Sequence, residues 1–454
     1  DLGEALINCI EVSPHDPATV FIAATKYKFN DFQPLLYVTN DEGKTWRKIV
    51  NGIPYGAYTR CIREDAERKG LLFAGTETGL YISFDGGAQW QQTQLGLPIT
   101  PITDLKVHQG DLLAATMGRS FWVLDDLHLL RQYNATKQNQ FALFTPENAY
   151  RVSGGSYLDR NLPEEAYETP WQGRTGLNPA SGIVLHYQLP DTVKSDATLT
   201  LTIRDAKGEV VRTYSTSPDK NFVGDYPGGP SSDPLLSAKP SINRFVWDLR
   251  YPTVNGVEGV FIEGMYEGHR AIPGQYTATL TYGNQSANTS FQVKADPRIK
   301  ASEADYLAQH QLASKVEASV NTIHASITQM RKARKQLTQL QDQTKEQHQY
   351  GDLHQQIASL IKDINAWEAQ LVQTKAKSND DIINYVNKLT ADYIFLKGEM
   401  DANIPYVTKG QESRYQELEA IWQQHATTLA SLKARIKTLN ERCAALQIPV
   451  VMIQ

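Results

Sequence analysis

Three features are scarce in this 454-residue sequence, and each scarcity removes a class of protein. Cysteine occurs three times, as Cys9, Cys61 and Cys443, too few for a disulfide framework. Apolar runs are short: none approaches the roughly 18 to 20 residues a membrane-spanning helix needs, and no secretory leader stands at the start. Charge of one sign is not in excess either. With 45 Lys and Arg against 50 Asp and Glu, the net charge is −5 and the basic residues are scattered, which sets nucleic acid aside as a partner. Chemistry-bearing motifs are missing as well. There is no Gly-x-Ser-x-Gly elbow, no His-Glu-x-x-His, no Cys-x-x-Cys and no phosphate loop, and Asp85-Gly86-Gly87 lacks the further carboxylates of a calcium loop. The sequence therefore gives no cofactor, no metal ligand set and no catalytic residue.

What is present is a repeat. Leu71 to Trp90, LLFAGTETGLYISFDGGAQW, reads as two strands followed by a turn, Ser83-Phe84-Asp85-Gly86-Gly87-Ala88-Gln89-Trp90. The turn has a counterpart in Thr39-Asn40-Asp41-Glu42-Gly43-Lys44-Thr45-Trp46, at the spacing of about 40–45 residues that a four-stranded propeller blade takes. A hydroxyl and a carboxylate satisfy the free N–H groups of a hairpin turn, Gly supplies a positive φ, and Trp buries its ring between sheets. Thr39, Asp41, Gly43, Trp46, Ser83, Asp85, Gly87 and Trp90 are therefore expected to be structural. A third unit follows. Second strands align as Phe21–Thr25, Leu72–Thr76 and Leu113–Thr116, and third strands as Leu36–Val38, Leu80–Ile82 and Phe121–Val123. Asp126 falls where Asp41 and Asp85 do, without the rest of the motif, as terminal repeats often do.

The pattern Ser/Thr-x-Asp-x-Gly-x-x-Trp resembles the Asp box of sialidase-type and sortilin-type β-propellers. With Gly118-Arg119-Ser120-Phe121-Trp122-Val123-Leu124-Asp125-Asp126-Leu127, Asn243 to Arg250 and Pro273-Gly274-Gln275-Tyr276, the chain resembles the C-terminal part of large secreted bacterial proteins with BNR repeats, many of them called glycosyl hydrolases. The resemblance implies a longer parent protein, secreted, periplasmic or at the cell surface. Three blades do not close a ring, since propellers take about four to eight. The missing blades are expected on an upstream segment of the same protein, and Asp1, which falls inside a strand-like repeat, reads as a processing boundary.

The domains expected are three terminal blades over 1–133, an ordered linker over 134–182, an Ig-like or fibronectin type III-like β-sandwich over 183–297, a four-helix bundle over 298–447 and a tail over 448–454. The linker, PEEAYETPWQGRTGLNPASG at its centre, is expected to lie across a neighbour, because Tyr157, Tyr167 and Trp171 would otherwise be exposed. Period-two alternation at Ile183–Tyr187, Thr198–Ile203 and Val210–Tyr214 marks strands. The Gly- and Pro-rich stretches from Ser217 to Pro240 and from Thr253 to Ile272 are expected to drape over an adjacent domain. Helical spacing begins after Pro297 with a capping pair, Ser302 and Asp305. A third helix is expected through Ile383, Val386, Leu389, Tyr393, Leu396 and Met400. The last carries a heptad seam from Leu418 through Trp422, His425 and Leu429 to Leu446. His425 is expected as a hydrogen-bonded core residue, and Arg331-Lys332-Ala333-Arg334-Lys335 as a solvated face. Cys9 and Cys61 hold like places in successive repeats, as two buried thiols or as a bridge.

The loops between second and third strands point to a ligand face. Tyr27, Lys28 and Asp31 lie in the longer first loop, Glu77 in the second and Arg119 in the third, with Tyr58 and Arg60 at a strand start. Aromatic rings beside Arg and Glu suit a sugar or an acidic group. Sialidases use an arginine triad with a Tyr/Glu pair, but no third arginine and no acid/base Asp can be placed here, and glycosidases need a defined carboxyl pair. The expectation is a non-catalytic binding or assembly scaffold with a glycan or a cell-envelope protein as partner; the alternative is part of a glycoside hydrolase whose catalytic residues lie upstream.

Overall fold

The computed structural model describes residues 3–452 apart from 94, 134–138, 153, 157–158, 160, 162–177, 195, 346 and 402–403. The expected linker aromatics Tyr157, Tyr167 and Trp171 lie outside the described residues. The protein is mixed β and α, and it divides into two compact units, residues 1–138 and 139–454.

The first unit holds three antiparallel sheets, each built in chain order. Sheet one is β1 (Leu6–Val12), β2 (Val20–Lys26), β3 (Asp31–Thr39) and β4 (Arg47–Lys48); sheet two is β5 (Thr59–Glu64), β6 (Leu72–Thr76), β7 (Gly79–Ser83) and β8 (Gln91–Gln92). Sheet three, among the described residues, has β9 (Ile102–His108), β10 (Asp111–Thr116) and β11 (Phe121–Leu124). Period-two alternation explains the stacking. Phe21, Ala23, Leu36 and Val38 of sheet one meet Ile62, Leu72, Ala74 and Tyr81 of sheet two in one core. The other face of sheet two, with Cys61, Phe73, Leu80 and Ile82, meets Ile102, Leu105, Leu112 and Ala114 of sheet three in another. After β11, helix α1 (His128–Gln132) is tied back to sheet two. Arg131 grips the buried Asp65, and Arg68 caps the carbonyls of Leu130, Arg131 and Tyr133.

The cysteines are free thiols. Cys9 accepts from Arg63 Nη1 at 2.7 Å, and burial pushes the Cys61 thiol up to about 12. A small residue is required where sheets two and three meet. A Cβ on Gly75 would stand 2.5 Å from Cys61 Sγ and 2.8 Å from Ile102 Cγ2.

The second unit begins with strands where the sequence suggested only a linker. β12 (Ala142–Leu143) joins β14 (Ile183–Leu189) and β17 (Ser241–Trp247) in one sheet. β13 (Ala149–Arg151) runs parallel to β19 (Gln285–Ala295) at the edge of the other, which continues through β18 (Gly274–Tyr282), β15 (Leu199–Asp205) and β16 (Val210–Ser215). The two sheets share a core in which Trp247 lies against Tyr276 and Phe291.

Four long helices follow: α2 (Glu303–Thr344), α3 (Gly351–Leu371), α4 (Leu389–Met400) and α5 (Lys409–Ala445). Ser302 and Asp305 close a reciprocal capping box on α2, and Thr408 and Gln411 another on α5. The expected third helix is corrected at its start. Residues 379–383 form a separate 3-10 turn capped by Ser378, which takes up the backbone before α4 can begin, and Ile383 and Val386 are left exposed. The basic run is also not a free solvated face: Arg331 and Arg334 both close on the buried Glu368, at 2.6 and 2.8 Å. His425 is half-buried, and burial lowers its pKa. Its carbonyl, rather than its ring, accepts from Trp367 Nε1.

Residues 253–272 are as much a part of the helical core as the helices. Val254, Val257, Val260, Ile262 and Tyr266 belong to the same buried cluster as Val320, Ile323, Ile364 and Leu396.

Candidate functional site

The two complete Asp-box turns have almost the same wiring. Gly43 N–H donates to Thr39 Oγ1 at 2.9 Å, and Gly87 N–H to Ser83 Oγ at 2.9 Å. Each hydroxyl donates to its carboxylate, Thr39 to Asp41 at 2.7 Å and Ser83 to Asp85 at 2.8 Å. Asp41 then accepts from Thr45 N–H at 2.8 Å, and Asp85 from Gln89 N–H at 2.9 Å. Every carboxylate contact is inside its own turn, the pattern of a folding device. Hydrogen bonds from Thr45, and then from Thr39, hold Asp41 down at about 2.

The tryptophans differ. Trp90 is 2% exposed and donates its indole N–H to Ile49 O of the neighbouring sheet at 2.8 Å. Gly87 lies over the same residue, where a Cβ would come 2.8 Å from Ile49 Cδ1. Trp46 is 41% exposed and donates to Gly43 O of its own turn.

At the β2–β3 and β6–β7 end of the first unit, four of the seven expected ligand-face residues come together. Register places this end: Lys26 pairs with Asp31, and Thr76 with both Gly79 and Thr59. A bulge between Thr59 and Cys61 leaves Arg60 out of the ladder, as bulges do where a side chain is re-aimed. Arg60 then reaches Glu77 Oε2 with Nε at 2.9 Å and Nη2 at 2.6 Å. Tyr58 lies under that guanidinium, ring centroid 5.3 Å away, and Tyr27 stacks on Tyr58 at 5.3 Å. Phe32 and Tyr55 extend the aromatic group. Burial raises the Tyr58 pKa, with Glu77 adding to it; at Arg60 burial acts to lower the pKa, and Glu77 and Tyr58 together leave it raised.

The other three do not join. Lys28 is exposed on the 3-10 turn of residues 27–29. Asp31 closes on Gln33, accepting from its backbone N–H at 3.1 Å and its amide at 2.6 Å, which lowers the Asp31 pKa. Arg119 sits on the β10–β11 turn, its carbonyl capped by Trp122 Nε1 at 2.7 Å. Among the described residues no ring contact or ion pair links its side chain to Tyr58, Arg60 or Glu77. Phe32 was not singled out from sequence. Its signal was position, since it shares the long first loop with Tyr27.

The site offers an aromatic platform beside a closed ion pair. Arg60 has two of its five N–H groups committed to Glu77, so an acidic ligand would have to share a guanidinium whose charge that carboxylate already balances. A stacking ligand would not.

No family model matches the chain. No curated protein matches it. Solved structures do match. A YCF48 bound to D1 peptide is 17% identical with TM-score 0.21, over 27% of this chain and 36% of that one. The extracellular domain of a hybrid two-component system from B. thetaiotaomicron is 11% identical with TM-score 0.19, over 61% and 29%. An ancestral GH74 enzyme is 11% identical with TM-score 0.19, over 63% and 35%. These neighbours are β-propeller-type proteins, and the chain spans about a third of the length of each. No described helix is long and apolar enough to cross a membrane.

Proposed function

We propose that residues 1–133 are blades of an Asp-box β-propeller completed by further blades of the same protein. In this reading the chain is a non-catalytic binding or assembly scaffold of a secreted or cell-surface protein. The observation that carries it is the contrast between Trp90 and Trp46. One motif, wired alike twice, docks its indole on the preceding sheet in the second copy and has no described sheet to dock on in the first. The outer faces of the end sheets agree. Ile10 is 63% exposed on sheet one and Phe121 85% exposed on sheet three, on the faces turned away from the two cores. Apolar sheet faces of this kind are covered in a closed ring.

The ligand face in this reading is the Tyr27, Phe32, Tyr55 and Tyr58 platform, taking a glycan by stacking with Arg60 and Glu77 at its rim. The second unit serves as an Ig-like spacer joined to a helical bundle that docks envelope partners. The test is intact mass and N-terminal sequencing of the protein from its source, with acrylamide quenching of Trp46. A longer chain carrying further Asp boxes, with Trp46 shielded, supports the reading. A chain equal to this one, with Trp46 open to quencher, overturns it. Glycoside turnover by the longer protein overturns the non-catalytic part alone.

A further inference from the structure

Residues 253–272 form a strap between β17 and β18 that is stitched to the helices by polar contacts as well as by its apolar side chains. Asn255 N–H donates to Asn321 Oδ1 at 3.0 Å, and its carbonyl accepts from His324 Nδ1 at 2.6 Å. Arg331 reaches Glu258 O, and Lys397, fully buried, reaches the carbonyls of Met265 and Glu267. The last stitch is His269. Its backbone N–H donates to Glu317 Oε1 at 2.7 Å, its Nδ1 stands 2.8 Å from Glu317 Oε2, and its Nε2 stands 2.7 Å from His310 Nδ1. Tyr251 stacks on the His269 ring at 4.3 Å.

Proton counting limits this chain of contacts. A carboxylate only accepts, so His269 Nδ1 carries a hydrogen toward Glu317. Between His269 Nε2 and His310 Nδ1 there is room for one proton. With neither ring charged, His310 donates; with either ring charged, one nitrogen donates and the other accepts. With both charged, two N–H groups face each other and the contact is lost. Burial acts on the next stitch in the same direction, because His324 Nε2 is buried without a partner and a second ring proton there would find no acceptor.

We propose that the strap is an acid-released clasp: protonation of the His269–His310 pair, and then of His324, frees residues 253–272 from α2 and α4 and uncovers the apolar groove they fill. The charges facing the pair come from every element around it. Glu317 on α2 and Asp205 at the end of β15 favour protonation; Lys207 on the β15–β16 turn opposes it, as does Lys397 on α4, which stands 3.9 Å from Glu317 and is itself faced by Asp401 and Arg250. Burial, and then His269, lower the His310 pKa, and burial lowers that of His324 to about 4. A lowered histidine pKa favours the folded state above the ordinary value of about 6.5, and that contribution is lost as pH falls through the lowered one. The clasp therefore loosens between about pH 6.5 and pH 4.

The test is hydrogen exchange of the full chain from pH 7.5 to 4.5, corrected for intrinsic rates. Protection in 253–271 is expected to fall by up to about tenfold per pH unit for each titrating group while α5 keeps its protection. His310→Gln, at a half-buried site, keeps a donor without a titration and should flatten the fall in its upper range. Unchanged strap protection at pH 4.5 overturns the proposal. So does loss in the strap and α5 together, or a His310→Gln profile that overlays the parent.

Discussion

Arg131 sets Nε and Nη2 against Asp65 Oδ2, at 3.1 and 2.9 Å, in a place where the Asp65 side chain has no exposure. The same carboxylate accepts the backbone N–H groups of Glu67 and Arg68, so one buried charge holds a turn of sheet two and the helix that follows sheet three.

Removing Arg131 leaves the buried Asp65 charge uncompensated, which costs about 3–5 kcal/mol, whereas removing Asp65 leaves Arg131 its second partner, Glu67 at 2.9 Å. Arg131→Met is expected to destabilise the first unit by that amount and Asp65→Asn by less, read from the shift of the urea midpoint multiplied by the denaturant slope. Arg131→Met with Asp65→Leu should cost less than the sum of its single changes.

The two Asp-box tryptophans should separate in a denaturation series. Trp90→Ala empties a buried site between sheets one and two and is expected to cost about 3–5 kcal/mol. Trp46→Ala in this chain is expected to stay within about 0.5 kcal/mol, as for an exposed residue. Equal costs would contradict the docking contrast.

Gly75→Ala forces a methyl into the contact between Cys61 and Ile102. Overpacking of this kind costs about 1–3 kcal/mol, and Cys61→Ala in the same chain should recover part of it. Thermal melting of the single and double variants reads both effects.

Asp41 gives a pH signature. Its carboxyl is held at about 2 by the turn, below the ordinary value of about 3.9, so its contribution is present above that value and disappears as pH falls through about 2. The acid limb of the melting curve should flatten in Asp41→Asn between those limits. An unchanged limb would mean that the turn's hydrogen bonds form equally in the unfolded chain.

The turns, the strands of the first unit and the start of α2 were legible because their causes are local. Hydroxyl, carboxylate and glycine at fixed offsets wire a turn wherever it stands, and Ser302 caps α2 with no tertiary help. The register-dependent features were not. That Arg60 leaves its ladder at a bulge and meets Glu77, while Arg119 does not, depends on pairing that no spacing within one strand records. β12 and β13 were read as linker because two or three residues are too short for periodicity to show. Strong apolar spacing misled at Ile383 and Val386, where a serine-capped turn competes with the helix for the same backbone. The His269–Glu317–His310 chain joins residues from a Gly-rich stretch and a helix, and no motif links them.

The strap through the helical core also orders events in time. Val254, Val257, Val260, Ile262 and Tyr266 are synthesised before any helix that covers them. On an emerging chain these five side chains wait in water until α2 and α4 are complete, and the β part of the second unit carries an unsatisfied hydrophobic segment for that interval. A nascent chain stalled before α4 is therefore a chaperone substrate, and cutting at Pro297 to separate sheets from helices yields two sticky pieces rather than two domains.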